Sequence, residues 1–343
     1  MTFKVVNTFV IPEIDYGDSL LDSVDADIER GLWTAEEDLI SHCQDADAII
    51  CTSPAQEWSE KVLDSLVRCR IIATTSIGYD RIPLEPATER AIAVTNIPDY
   101  CVDEVSSQAI ALMMALARKL FPLDRDVRER QTHFTPGNRE AVRDILHPIL
   151  RTRDQVLGII GFGKIGTAVA LKAKGIGMRV IAYDPYVFGA VMQTHGVQPV
   201  DLDTLLRDSD IISINANLTS ETRHMIDEEA FKKMKPTCYL VNTARGGIVD
   251  QDALIRALQE GMIAGAGLDV LAVEPVPAQD PLLRMPNVIL TGHSAWYSTA
   301  SDSEAEYWHK AMGQVIMALK GRFPTYTVNP EVKKEWLTKW GTT

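Results

Sequence analysis

A chain of 343 residues, 46% hydrophobic and 24% charged, has the ordinary make-up of a globular protein and the length for two domains. Its 34 Lys and Arg against 47 Asp and Glu leave a formal net charge of −13, which repels nucleic acid and anionic lipid, so neither is expected as a partner. No run of about 18 apolar residues occurs, and five cysteines without a C-x-x-C spacing argue against a disulfide framework or a zinc site and for a reducing cytoplasm.

The first stretch, "MTFKVVNTFVIPEID", carries an acid by position 13 and no long apolar core, so it reads as a first strand rather than a signal peptide. From there to about residue 100 the runs "KVVNTFV", "DAIICTS", "RIIATTS" and "AIAVTN" alternate with polar helical stretches, the pattern of a parallel sheet with crossover helices. Residues 103 to 120, "DEVSSQAIALMMALARKL", open with two acids and are apolar on nearly every side, which predicts a helix buried all round. Residues 121 to 150 are charged and hold Pro136, Gly137, Asn138 and Pro148, which predicts an arm or loop.

A second βα series follows, with apolar runs "QVLGIIG", "RVIAYD", "DIISIN", "CYLVNT", "GAGLDV" and "NVILTG". The last long segment, "TASDSEAEYWHKAMGQVIMALKG", predicts a helix that returns the chain to the first domain.

The chemistry concentrates in the second series. "GIIGFGKIGTAVA" sets Gly161, Gly163 and Gly166 between a strand and a helix. Alone this is also an ordinary glycine-rich turn. Glycines so placed allow a tight turn, close approach of a pyrophosphate and close helix packing, and the helix start supplies amides to an anion. Asp184 in "VIAYDPY" stands 18 residues past Gly166, where a carboxylate accepts from the adenosine ribose hydroxyls and repels a 2′-phosphate. The other reading of Asp184 is a surface acid before a proline turn.

In "LVNTARGGIVD", Arg245 follows a strand, and Asp250 is placed to cap a helix that Gly261 ends. A guanidinium at that sheet edge can hold a carboxylate bidentately, although a loop arginine is more often a solvated charge. Glu274 lies five residues after Asp269, and His293 ends the apolar run "NVILTGHSAW". A carboxylate beside that histidine would orient the ring and favour imidazolium, making a proton donor near neutral pH.

These motifs, in this order, resemble the D-isomer-specific 2-hydroxyacid dehydrogenase family over roughly residues 45 to 330. "HSAWYS" and "TTSIGYD" are most similar to its branch of D-lactate dehydrogenases and C-terminal-binding proteins. The resemblance implies an α/β fold of two parallel-sheet domains. A discontinuous flavodoxin-like substrate domain would cover 1–102 and 297–332, and a Rossmann NAD-binding domain 103–296. It implies hydride exchange between NAD(H), preferred over NADP, and a small 2-hydroxy or 2-oxo acid in an interdomain cleft.

By the same resemblance Arg245 would bind the substrate carboxylate and C2 oxygen, His293 would exchange the proton, and Glu274 would hold His293. Ile77 and Gly78 would complete the carboxylate site, with Tyr100 and Trp296 facing the substrate or merely packing. Cofactor contacts would fall on Gly161, Gly163, Lys164, Ile165, Gly166 and Asp184. Others would fall on Asn215, Ala216, Asn217 and Thr222, then on Thr243, Ala244, Asp269, His293 and Ala295.

Three departures stand out. "NAN" at 215–217 replaces a His-Cys-Pro-like run, Gly292 replaces the usual proline before the histidine, and Arg81 stands where an asparagine is common. The resemblance further implies a homodimer. The alternative function is an NAD(H)-sensing co-regulator of the C-terminal-binding type. A formate dehydrogenase is disfavoured because that branch has glutamine at the position of Glu274.

Overall fold

Unbroken apolar runs four to five residues long, buried on both faces, are what central parallel strands require. The chain supplies them twice. The computed structural model describes residues 2–10, 16–52, 56, 58–131, 133, 135, 137–153, 155–298 and 303–342. It divides into two units, Met1–Tyr100 with Ser298–Thr343, and Cys101–Tyr297.

In the first unit β1 (Phe3–Asn7), β2 (Ala26–Arg30), α1 (Glu36–Cys43), β3 (Ala48–Cys51), α2 (Glu60–Ser65), β4 (Ile71–Thr74), α3 (Leu84–Glu89) and β5 (Ala93–Thr95) follow one another. Every pairing in this sheet is parallel, in the order β2-β1-β3-β4-β5, the flavodoxin-like arrangement. β3, β4 and β5 are wholly buried. β2 escapes the sequence reading because "ADIER" is a half-exposed edge strand with no apolar run to betray it.

The second unit opens with α4 (Val102–Ala117), α5 (Leu120–Arg130) and α6 (Arg139–Leu146). There follow β6 (Val156–Ile160), α7 (Lys164–Gly175), β7 (Arg179–Tyr183), α8 (Gly189–Thr194), β8 (Gln198–Pro199), α9 (Leu202–Asp208), β9 (Ile211–Ile214), α10 (Glu228–Lys233), β10 (Tyr239–Asn242), α11 (Gln251–Gln259), β11 (Gly265–Leu268) and β12 (Val288–Leu290). The sheet runs β12-β11-β10-β9-β6-β7-β8, all parallel, so the strand order reverses about β6 as in a Rossmann fold. The two-residue β8 is again an edge strand that the sequence reading passes over.

Two expectations are corrected here. The stretch 121–150 is not an irregular arm, since it carries α5 and most of it is helical. Pro122 falls in the first turn of α5, where no intrahelical donor is missed. The i,i+4 pairs Asp124–Arg128 and Asp126–Arg130 support the helix and were the signal available in the sequence. Residues 132, 134 and 136 of that stretch lie outside the described residues. Likewise α4 is not buried all round. Leu112, Met113 and Leu116 enter the core beside α7, β10 and β11, while Ser107 and Ala111 remain exposed.

The chain re-enters the first unit through α12 (Ser303–Leu319), whose residues Trp308, Ala311, Met312 and Val315 are buried, and ends in α13 (Lys333–Trp340). The predicted start of the returning helix, 299–302, lies outside the described residues. α13 has no counterpart in the sequence reading, yet its Trp336 is fully buried and donates from Nε1 to the Arg70 carbonyl at 2.8 Å. Trp336→Ala should therefore cost roughly 3–5 kcal/mol of stability. A guanidinium chloride midpoint within error of wild type would show that α13 is not part of the core.

Candidate active site

Parallel strands place their carboxyl ends on one edge of the sheet, and in an open α/β sheet ligands bind outside that edge at the point where strand order reverses. Here Asp184 follows β7, Gly161–Gly163 follow β6, and Asn215–Asn217 follow β9. Thr243–Arg245 follow β10, Asp269–Glu274 follow β11, and His293 follows β12. These strands are neighbours in the order β7-β6-β9-β10-β11-β12, so residues over a hundred positions apart share one edge.

The glycines are needed for different reasons. Gly161 has φ +88, and a Cβ on it would stand 2.7 Å from the Ala216 nitrogen; a Cβ on Gly166 would stand 2.1 Å from the Gly161 carbonyl oxygen. The loop, α7 and the strand β9 exit therefore touch backbone to backbone. Nothing lies within 4 Å of a Cβ built on Gly163, which is exposed and starts the twelve-residue α7. Lys164 and Ile165 begin that helix, so the helix start opens beside the space at Gly163.

Asp184 accepts from the Phe162 amide at 2.8 Å and the Tyr186 amide at 2.9 Å, which ties the strand β7 exit to the glycine loop. The Tyr186 hydroxyl in turn donates to Glu221 on the loop after β9. That loop is stitched by Thr222, whose hydroxyl donates to the Asn217 carbonyl at 2.6 Å and accepts from the Thr219 amide at 2.8 Å. Two buried polar atoms at this edge, Thr243 Oγ1 and Asn215 Oδ1, have no partner among the described residues. A polyphosphate dinucleotide fits these features: a helix start with open space, an acid beside the loop, and orphaned polar atoms toward the strand β10 end.

Beyond Thr243 the edge carries titratable side chains, Arg245, Glu274 and His293. Asn242 forms an Asx turn, accepting from the Ala244 amide at 3.0 Å and donating to the Arg245 carbonyl at 2.9 Å. Gly246 packs so tightly on the next loop that a Cβ would stand 2.0 Å from the Leu271 carbonyl, which fixes Arg245 beside the segment leading to Glu274. Gln251 braces the same segment, accepting from the Ala272 amide at 3.0 Å and donating to Asp280 at 2.7 Å. Glu274 accepts from the Leu271 amide at 2.8 Å through Oε1, and its Oε2 meets His293 Nδ1 at 2.7 Å.

Partial burial pushes the Glu274 carboxyl up, but the His293 bond, the Leu271 amide and the charges of His293 and Arg245 outweigh it. The carboxyl is held below the usual carboxylate range. Glu274 is thus an anion at neutral pH, fitted to orient the imidazole and stabilise its charged form. Asp269 plays a different part. It is 3% exposed, and its oxygens accept from Thr291 Oγ1 at 2.6 Å and from the amides of Ser294 and Ala295 at 3.0 Å each.

The structure brings Arg245, Glu274 and His293 to one edge with the glycine loop, Asp184, Asn215, Ala216, Asn217, Thr222, Thr243, Ala244, Asp269 and Ala295. Trp296 follows the histidine loop with its ring set edge-on to Tyr297 at 5.6 Å. Ile77 and Gly78 belong to the first unit, in the loop after β4; Asn96 donates to the Ile77 carbonyl and Ser76 to the Gly78 carbonyl, both at 2.7 Å. Tyr100 ends that unit's N-terminal portion. The sequence reading missed Asn242, Gly246, Gln251 and Thr291. Only Asn242, an Asx-turn former closing an apolar strand, left a local signal.

The chain is similar to known proteins. Residues 110–295 match the family model described as D-isomer specific 2-hydroxyacid dehydrogenase, NAD binding domain. The chain is similar to a glyoxylate reductase of Korarchaeum cryptofilum, 38% identical over 325 residues that cover 92% of this chain and 93% of that one. Among solved structures, a Pyrococcus horikoshii protein superposes with TM-score 0.85 at 28% identity, covering 100% of both chains. A D-lactate dehydrogenase of Aquifex aeolicus, complexed with NAD and lactic acid, does so with TM-score 0.78 at 29% identity, covering 92% of this chain and 94% of that one.

The depressed Glu274 carboxyl carries a pH signature. A group whose folded value is lowered stabilises the fold above its unfolded value, about pH 4.3 for glutamate, and loses that contribution as pH falls through the folded value. Urea midpoints of wild type and Glu274→Gln should differ at about pH 7 and converge toward about pH 3. A difference independent of pH would show that the ion pair is not its source.

Proposed function

Since this chain belongs to the D-isomer-specific 2-hydroxyacid dehydrogenase family, we propose that its NAD-dependent reaction interconverts a small D-2-hydroxy acid and its 2-oxo acid, glyoxylate first among the candidates. The observation that carries the residue-level reading is the 2.7 Å contact of His293 with Glu274, within electrostatic reach of Arg245 on the edge that holds the glycine cradle. The relatives named glyoxylate reductase support the substrate class. A dinucleotide at the glycine loop supplies the hydride acceptor or donor when bound.

The chain's own groups do the rest. Arg245 offers a guanidinium to the substrate carboxylate and to the C2 oxygen, offsetting negative charge as it develops there. His293, oriented through Nδ1, keeps Nε2 for the proton of that oxygen: it delivers one during reduction of the 2-oxo acid and takes one during oxidation. Glu274 stays ionised and so stabilises the imidazolium between these events. Thr243 and Asp269, at the ends of neighbouring strands, serve the nicotinamide carboxamide.

Asp184 supports NAD over NADP, because its carboxylate beside the glycine loop would face a 2′-phosphate. Five cysteines held as buried thiols support a reducing cytoplasm. No helix among the described residues is long and apolar enough to cross a membrane. Exposed Leu120, Phe121 and Val127 on α5 support a homodimer.

NADH oxidation screened across glyoxylate, pyruvate, hydroxypyruvate and branched and aromatic 2-oxo acids tests the substrate class. His293→Ala should cut kcat roughly 100- to 10,000-fold while sparing NADH affinity. Full turnover in that variant would end the proton role. Asp184→Ala should raise the NADPH to NADH ratio of kcat/KM by about tenfold, the scale of one charge removed from beside a dianion. An unchanged ratio would place cofactor choice elsewhere.

A further inference from the structure

His293 sits in a backbone conformation that resists it. Its φ is +55, the left-handed region that non-glycine residues seldom occupy. The residue before it, Gly292, is exposed, has nothing within 4 Å of a built Cβ, and contributes the greatest chain freedom of any residue type. The loop therefore cannot owe its order to local stiffness. Something outside the loop must hold the imidazole where Glu274 can meet it.

The hydrogen bonds identify the holder. The His293 amide donates to the carbonyls of Asp269 and Thr291, at 2.7 Å each, and the next two amides end on the Asp269 carboxylate. That carboxylate is itself oriented by one side chain, Thr291, whose hydroxyl donates to Asp269 Oδ1 at 2.6 Å. The hydroxyl has a single proton, and Gln108 of α4 decides where it points: its Nε2 donates to Thr291 Oγ1 at 3.3 Å, leaving the oxygen's own proton for the carboxylate. The Thr291 amide meanwhile donates to the Leu268 carbonyl at 3.0 Å, so its backbone is anchored to the strand β11 end.

We infer that Thr291 is a positioning residue for His293, acting through the Asp269 carboxylate that clamps the Ser294 and Ala295 amides. The hydroxyl is taken up by Asp269 and Gln108, so it acts through the carboxylate and not on the imidazole directly. Its work is to keep a buried carboxylate turned toward two backbone amides, so that a loop containing glycine presents the imidazole in one orientation. The inference rests on the reading of His293 as the proton-exchanging group.

Thr291→Val keeps the shape and removes the hydroxyl; Thr291→Ser keeps the hydroxyl and removes the methyl. Native-state hydrogen exchange reads the clamp at the Ser294 and Ala295 amides without any substrate. Thr291→Val should raise exchange at those two amides and lower kcat, each by about tenfold, the effect of one lost hydrogen bond to a charged group. KM should change less, and the acid limb of the kcat profile should move to higher pH as the Glu274 carboxyl loses its His293 contact and returns toward its ordinary value. Thr291→Ser should match wild type within about twofold on both readouts, since the charge-assisted bond is kept.

Wild-type exchange at the two amides in Thr291→Val would overturn the inference, as would unchanged kcat with the 2-oxo acid that the wild type reduces fastest. Equal damage in Thr291→Ser would assign the effect to the methyl group, and exchange raised over the whole sheet would assign it to general loosening; either result also overturns it. Failure of the underlying reading shows separately, as retained turnover in His293→Ala.

Discussion

Parallel pairing is the constraint from which the rest of the site follows. When β6, β9, β10, β11 and β12 align in one direction, the residues after each strand emerge along a single line, whatever their distance in the chain. A one-residue slip of any strand would exchange the side chains of its two buried faces, which pack into different clusters, Val156 and Ile160 in one and Leu157 and Ile159 in the other, so the fit of the buried strands also sets the register of the loops beyond them. The core and the site are thus one problem. Packing that fixes the strands decides where Arg245, Glu274 and His293 stand.

Close backbone approach turns this line into a rigid edge. Gly161 and Gly166 bring the loop after β6 against the loop after β9 and the start of α7, and Gly246 brings the Arg245 loop against Leu271. At each of these points a Cβ would meet backbone rather than a yielding side chain, so a methyl group would move a whole segment. Gly163 differs, since open space adjoins it and its role is to leave room. One residue type serves packing in three places and access in a fourth.

Two carboxylates on neighbouring turns show how environment divides labour. Asp269 is buried and gives its acceptor sites to a hydroxyl and two amides, so its charge organises backbone. Glu274, half exposed, keeps one oxygen for an amide and turns the other to His293, so its charge is spent on an imidazole. A buried carboxylate persists only when hydrogen bonds replace lost water, and Asp269 meets that condition with three donors. The histidine between them inherits its position from one and its electrostatics from the other.

The linear chain already displayed two parallel-sheet series, the glycine-lined strand-to-helix turn, the Asp250 cap that accepts from Ala253, and the order of Asp184, Arg245, Asp269, Glu274 and His293. Such features are local: periodicity, backbone freedom and capping are written in a few adjacent residues. Edge strands β2 and β8 and the closing helix α13 were illegible because their apolar pattern is weak or their burial depends on distant partners, whereas α5 left only its i,i+4 charge pairs as a signal. The meeting of His293 with Glu274, and of Thr291 with Gln108 from a helix 183 positions earlier, exists only in three dimensions. Sequence spacing carries no information about which strand ends become neighbours; that is decided when the whole sheet finds the one register that buries its faces.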